Sequence, residues 1–348
     1  MSSQPIADGP SSSSPGGHAE VTSREQSPPV LEFHVESYLN GVRVDTFLNR
    51  HLRNHTPFRI QRMVRAGVVW IDDQATDQFV RVFKGQAVRI RIVEPPDKLL
   101  PAEDGPLHVL FEDPWLLVVN KPAGQLAHPV GEHQWGTLAN IAQSHLDRQT
   151  THPGLLRPGL VHRLDRETSG ILVLAKEHFS HRQLSVQFQR NEPRKMYLAL
   201  VHGVVGPQRG TVRLPIGRAI GAMSALASVT PDARDRRPAE TLYRVVERFA
   251  SHTLVLAQPM TGRMHQIRVH LAALGHPIVG DAFYGEHSRQ ASNPLPLLPG
   301  LERHALHACR MEFSHPVLRT RMTFNAELPD DLRSAVEHLR SRMALATS

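Results

Sequence analysis

Asp165 stands between two arginines in Val161-His162-Arg163-Leu164-Asp165-Arg166-Glu167-Thr168-Ser169-Gly170, and the apolar run Ile171-Leu172-Val173-Leu174-Ala175 follows at once. Cations beside a carboxylate favour its charged form, so Arg163 and Arg166 are predicted to keep Asp165 ionised. Thr168, Ser169 and Gly170 supply the polar, permissive backbone of a tight turn. The apolar run does not alternate, which predicts a strand buried on both faces. An ionised Asp carried by a turn against such a strand can act as a nucleophile or as an electrostatic stabiliser. Taken alone, it reads more readily as a salt-bridged loop residue.

That turn must be held by the elements around it. Strand-like runs cover residues 109–112, 116–119, 171–175, 197–201, 242–247 and 253–257. A helix is predicted over 179–189, with Leu184 and Phe188 one turn apart, and another begins near His265. Strands outnumber helices and do not alternate regularly with them. This predicts an α+β domain over residues 106–330, a mixed, mainly antiparallel sheet with flanking helices, then a C-terminal helix or tail over 331–348. Residues 218–237, rich in Ala, Gly and Arg without a period, are predicted as a loop.

Residues 31–94 read as a small separate α/β module. Val44, Phe47, Leu48 and Leu52 recur at helical spacing, and a second helix over 57–66 is stopped by Gly67. A strand and turn follow at 68–73. Val88-Arg89-Ile90-Arg91-Ile92 alternates strictly, so it is predicted as a half-buried strand with its arginines outward. Between Thr46 and Ile71 lie Arg50, Arg53, Arg59, Arg62 and Arg65 and no acid. Arg59, Arg62 and Arg65 share one broad helix face, either a solvated surface or a phosphate-binding one. Residues 1–30, rich in Ser, Pro and Gly, are predicted to be disordered; Asp8, Glu20 and Glu25 argue against a signal or transit peptide. Residues 95–105, opening on Pro95-Pro96-Asp97, read as a linker.

A chain of 348 residues is long enough for two or three domains. No apolar run approaches the roughly eighteen residues of a membrane span, so no membrane partner is expected. The single cysteine, Cys309, excludes an internal disulfide framework, fits a reducing, cytoplasmic setting, and reads as a buried structural thiol. The formal charge of +7 suggests an anionic partner such as nucleic acid. The excess of arginine over lysine suits bidentate phosphate contacts, and equally reflects compositional bias. The 22 histidines are scattered without acidic or cysteine companions, so no metal is expected. No glycine-rich phosphate or dinucleotide pattern occurs, so no cofactor is expected.

The decapeptide at 161–170 closely resembles the active-site signature of the RluA-type pseudouridine synthases, in which the Asp of an HRLD core is catalytic. Arg194-Lys195-Met196-Tyr197-Leu198-Ala199-Leu200-Val201 is similar to that family's K-x-Y-x-A strand. Thr261-Gly262-Arg263-Met264-His265-Gln266-Ile267-Arg268-Val269-His270-Leu271 is similar to its basic GR-x-HQIR segment. Gly275-His276-Pro277-Ile278-Val279-Gly280-Asp281 with Tyr284-Gly285, and upstream Val118-Val119-Asn120-Lys121-Pro122-Ala123-Gly124, also resemble family segments. The resemblance spans roughly residues 105–327. Residues 31–94 resemble the alpha-L RNA-binding domain of ribosomal and tRNA-synthetase proteins.

The resemblance implies that uridine is converted to pseudouridine in structured RNA: the uracil is detached, turned and rejoined through carbon. It places Asp165, Tyr197 and Arg268 at the catalytic positions. Arg268 would hold Asp165 ionised by a charge-assisted bond. Tyr197 would stack on the uracil and take part in the final proton removal. Water-driven glycoside cleavage normally needs two opposed carboxylates, and the motif offers one, since Glu167 should point away. Attack on the sugar and attack on the ring both fit. His162, Arg163, Arg263 and His265 are expected on the substrate side, with His162 positioning the turn and the two arginines in phosphate or structural contacts. Arg59, Arg62 and Arg65 are expected to meet RNA. Over 218–237 the chain diverges from the family, so RNA contacts there are not carried over. Large-subunit ribosomal RNA is the first expected partner and transfer RNA the second, with the protein a monomer. A non-catalytic RNA-binding or ribosome-assembly protein is the competing class.

Overall fold

The structure, a computed structural model, describes residues 28–93, 100–150, 154–220, 226–284 and 298–347. The disordered tail expected over 1–30 falls almost wholly outside these, as do linker residues 95–99.

The amino-terminal module contains β1 (Val30–His34), α1 (Val44–His51), α2 (Pro57–Arg65), β2 (Val69–Ile71), β3 (Gln74–Thr76) and β4 (Ala87–Arg91). Its sheet runs β1-β4-β2-β3, antiparallel throughout. Thr56 caps α2 by accepting from Arg59 N, Pro57 occupies the first turn, and Gly67 takes the left-handed conformation just past the end. Phe47, Leu48, Ile60, Met63, Val88 and Ile90 are fully buried in this module's own core, against which Leu155 of the larger module also packs. Its arginines do not all face solvent: Arg53 donates to Pro114 O at 2.8 Å and lies over the Trp115 ring, joining the two modules.

The larger module contains β5 (Val109–Glu112), β6 (Leu116–Lys121), α3 (Leu138–Asp147), β7 (Gly159–Leu160), β8 (Ser169–Ala175), α4 (His178–Gln189), β9 (Arg194–His202) and β10 (Arg209–Val212). It continues with β11 (Ile216–Arg218), β12 (Ala227–Ser228), β13 (Arg234–Arg237), β14 (Thr241–Arg248), β15 (His252–Pro259), α5 (Gln266–Ala273), β16 (Leu306–Ser314), β17 (Arg321–Asn325) and α6 (Asp330–Thr347). One ten-stranded sheet runs β10-β14-β15-β9-β16-β8-β6-β5, with β17 beside β16 and β7 beside β8. Every pairing in it is antiparallel except β8 with β16. The expected α+β architecture, mainly antiparallel, is the one observed.

Three features differ from the sequence reading. Residues 218–237 are not simply a loop: β11, β12 and β13 form a small antiparallel sheet. One of its two edge strands, β13 (Arg-Asp-Arg-Arg), is wholly exposed, so no apolar pattern announces it. Helix α3 was not anticipated, because its buried Asn140, Gln143 and Ser144 read as surface residues. Their donor groups find partners outside the helix: Asn140 donates to Pro101 O, Gln143 to Leu156 O and Ser144 to Asp104. The helix at the carboxyl end is no appendage, since Leu332, Ala335, Val336 and Leu339 enter the main core.

The parallel pair β8–β16 decides one glycine. Gly170 has φ 115° and sits opposite Ala308, where an added Cβ would lie 2.3 Å from Ala308 O. A methyl there cannot be accommodated without parting the two strands. Gly170→Ala is expected to lower stability by about 2–4 kcal/mol, read as the shift of the urea midpoint. An unchanged midpoint would refute the close approach.

Candidate active site

Asp165 lies where the chain turns into β8. Thr168 N donates to Asp165 O at 3.0 Å, so residues 165–168 form the turn, and Ser169 and Gly170 already belong to the strand. The loop is fixed from three sides. Lys121, fully buried at the end of β6, donates to Pro122 O, Gln125 O and Arg166 O at 2.7, 2.9 and 3.0 Å. Arg303 pairs with Asp331 of α6 and donates to Glu167 O and Ser169 Oγ. His304 Nε2 meets Thr168 Oγ1 at 2.8 Å, and His307 Nδ1 meets Ser169 Oγ at 2.9 Å.

The cation that pairs with Asp165 is not one of its sequence neighbours. Arg163 and Arg166 are exposed, and Arg166 donates instead to Gly124 O. Arg268, buried on α5, donates from Nη1 to Asp165 Oδ2 at 2.9 Å. Its Nε and Nη2 grip the buried Asp281 at 2.7 and 2.9 Å. Burial opposes the charge on Arg268, but Asp281 and Asp165 outweigh that cost and raise its pKa above the ordinary guanidinium value. The start of α5 is pinned by Gln266, whose amide oxygen accepts from Thr261 Oγ1 and Arg263 N while its nitrogen donates to Glu240 O and Thr241 Oγ1.

Tyr197 enters from β9, where it is paired with Ala308 on one side and Ala257 on the other. Small residues on both neighbouring strands leave room beside the ring. Burial, and then the nearby Asp165, push its phenol well above the ordinary value. A phenol so placed keeps its proton at neutral pH.

These side chains converge on a cavity of about 800 Å³ whose walls include His162, Arg163, Asp165, Lys195, Tyr197, Arg263, His265 and Arg268. Seven of the ten residues marked in the sequence are thus brought together. Arg59, Arg62 and Arg65 lie apart, on α2; Arg62 and Arg65 are exposed, with Arg62 over the Phe58 ring and Arg65 over Phe79. His162 is stacked on Phe188 and accepts from Val173 N at 3.0 Å, so it braces the turn against β8 and α4. Arg163 also lines a second cleft of about 930 Å³, shared with Asn54 of the amino-terminal module. The sequence reading gave no role to Lys121, Gln266, Asp281, Arg303 or His304. Lys121, Gln266 and Asp281 stand inside the quoted motifs, so their types were visible but their partners were not.

His162 and His304 are both pushed down to about 3, chiefly by burial, with Lys195 and Arg268 respectively adding to it. An unfolded imidazole protonates near pH 6.5, so between that value and 3 the unfolded chain binds more protons than the folded one. Their contribution to stability is therefore complete above pH 6.5 and falls away as the pH drops, by about 2 kcal/mol per imidazole at pH 5. Urea midpoints at pH 7.5 and pH 5 measure this. His304→Leu should flatten the difference, and equal midpoints in the wild type would contradict it.

Comparison with known proteins fits this geometry. Residues 115–273 match the family model described as RNA pseudouridylate synthase. An uncharacterised RNA pseudouridine synthase of Bacillus subtilis is 36% identical over 298 residues, covering 86% of this chain and 94% of its own. The chain belongs to the RNA pseudouridine synthases. This family isomerises uridine to pseudouridine in RNA, so the protein is an isomerase acting on RNA. The synthase is also similar to the ribosomal large subunit pseudouridine synthase D of Nitrosomonas europaea, 35% identical over 318 residues, with 91% of this chain and 90% of that one covered. Among solved structures, the human RNA pseudouridylate synthase domain containing 4 superposes with a TM-score of 0.55 at 27% identity, covering 67% of this chain and 93% of that one. Among the described residues no helix is long and apolar enough to cross a membrane.

Proposed function

We propose that the synthase modifies uridines of large-subunit ribosomal RNA, with Asp165 as its catalytic carboxylate. One observation carries the assignment of Asp165: among the described residues lining the cavity it is the single carboxylate, and a buried arginine donates to it. Hydrolysis of a glycosidic bond normally calls on a second carboxylate to activate water. Isomerisation does not. The C1′–N1 bond breaks, the uracil turns, C1′ bonds to C5, and the proton leaving C5 balances the one gained at N1. A lone carboxylate suffices to stabilise the electron-poor centre, by attack on the sugar or on the ring.

In this reading Arg268 orients Asp165, and Tyr197 stacks on the uracil. Arg163, Lys195 and Arg263 supply positive charge to the phosphates around a flipped-out uridine, whose unstacking costs a few kcal/mol and least in single-stranded loops. The amino-terminal module, of the alpha-L type, adds a basic, ring-bearing helix face through Arg59, Arg62, Arg65 and Phe58. Ribosomal RNA is our first target, a reading supported by the names of the large-subunit relatives in Nitrosomonas europaea and Pseudomonas aeruginosa. Transfer RNA is second.

Pseudouridine mapping of total RNA tests this, using cells that lack the protein and are complemented with wild type or Asp165→Ala. Particular pseudouridines in large-subunit ribosomal RNA should vanish and return with the wild type alone. Loss confined to transfer RNA would move the target, and restoration by Asp165→Ala would remove Asp165 from the mechanism.

A further inference from the structure

The carboxylate of Asp165 is faced by two nitrogen donors that both lead back to one residue. Along the first route, Arg268 Nη1 reaches Asp165 Oδ2 at 2.9 Å, while Nε and Nη2 form a two-pronged pair with Asp281. The Asp281 side chain is wholly buried. Along the second route, Asp281 Oδ1 accepts from the backbone N–H of Phe283 at 2.9 Å and of Tyr284 at 3.3 Å, closing the turn that carries Tyr284. The Tyr284 hydroxyl is 2.6 Å from His265 Nδ1, and His265 Nε2 lies 3.9 Å from the same Asp165 Oδ2. The two rings of that turn also stand against Arg268: its guanidinium carbon is 5.0 Å from the Tyr284 ring centre and 5.8 Å from that of Phe283. Asp165, Arg268, Asp281, Tyr284 and His265 thus make a closed circuit.

From this circuit we infer that Asp281 is the positioning residue of the catalytic carboxylate, setting both Arg268 and, through Tyr284, His265 against Asp165. The inference rests on the reading of Asp165 given above. A guanidinium gripped at two of its nitrogens has one direction left for the third, so the fork to Asp281 fixes where Nη1 points. The second route fixes a proton. Tyr284 Oη already accepts from Ala227 N at 3.0 Å, and burial first of all raises its pKa to about 12, so it keeps its proton. Burial likewise lowers the pKa of His265, which favours its neutral form. A Tyr284 hydroxyl that donates to Nδ1 leaves the remaining imidazole proton on Nε2, the nitrogen 3.9 Å from Asp165 Oδ2. Asp281 is absent from the residues lining the cavity, and acts through Arg268 and His265, which are present there.

The test measures single-turnover pseudouridine formation at saturating enzyme, and RNA affinity separately, for wild type, Asp165→Asn, Asp281→Asn, Arg268→Lys, the double variant Asp281→Asn/Arg268→Lys, and Tyr284→Phe. Asp281→Asn should slow the chemical step about tenfold to a hundredfold with RNA affinity within about twofold of wild type, since a small misplacement of a reacting group costs rate rather than binding. It should add little in the Arg268→Lys background, because residues acting through one another are not additive. Tyr284→Phe, which removes only an oxygen, should slow the step about threefold to tenfold at unchanged affinity. A purely structural residue would change the folded fraction and leave the saturated rate constant alone. The proposal is overturned if Asp281→Asn reacts within twofold of wild type, or if its effect multiplies undiminished with that of Arg268→Lys. If Asp281→Asn does not fold, Tyr284→Phe decides: a rate within twofold of wild type overturns it. An active Asp165→Asn would sink the underlying reading instead, whatever Asp281 does.

Discussion

Asp165→Asn is expected to lower the rate of pseudouridine formation by about a thousandfold or more. The change is isosteric and removes one charge. Among the described residues of the cavity wall no other carboxylate can take its place. The fold should survive, because the loop is held by Lys121, Arg303 and His304, none of which bonds the Asp165 side chain, and because Arg268 keeps Asp281 as a counter-charge. RNA affinity should stay within a fewfold, since the cavity loses a negative charge while Arg163 and Arg263 remain in its wall. Single-turnover kinetics and a binding titration on one RNA fragment separate the two effects. A variant within tenfold of wild type would mean that the chemistry lies elsewhere.

Arg268→Leu should be costly in a different way. The Asp281 side chain has no exposed surface, and removing its guanidinium partner strands a carboxylate inside the protein. Breaking a buried pair by deleting one member costs about 3–5 kcal/mol, so a large loss of stability should accompany the loss of activity. Arg268→Lys keeps a charge but cannot span Asp281 and Asp165 with three fixed nitrogens; it should recover part of the stability and little of the rate. Urea unfolding of both variants, with activity measured where each is folded, gives the comparison. A leucine variant as stable as wild type would show that Asp281 finds another partner or a proton.

Much of the site could be read in the chain because its parts are local. The strand β8 follows from an unbroken apolar run, and the end of helix α2 from Gly67, each a short-range signal that needs no partner. Arg268 was identified by its place in a motif. The sheet β11-β12-β13 and helix α3 escaped for the opposite reason. Arg234–Arg237 carries no apolar face, and the buried polar side chains of α3 are acceptable only because the chain at 101–104 and 156 comes to meet them.

The sequence by itself determined the chemical inventory: an Asp in a tight turn, a tyrosine on a strand, an arginine at the head of a helix, and a basic module in front. Only the tertiary structure decided which cation serves Asp165. Arg163 and Arg166, adjacent in sequence, turn to solvent, whereas Arg268, 103 positions away, is buried and held by Asp281. The reason is burial. An exposed ion pair in water contributes little and fixes nothing, whereas a guanidinium enclosed among β8, α5 and the 281–284 turn must satisfy every donor, and the packing of those elements leaves it one orientation.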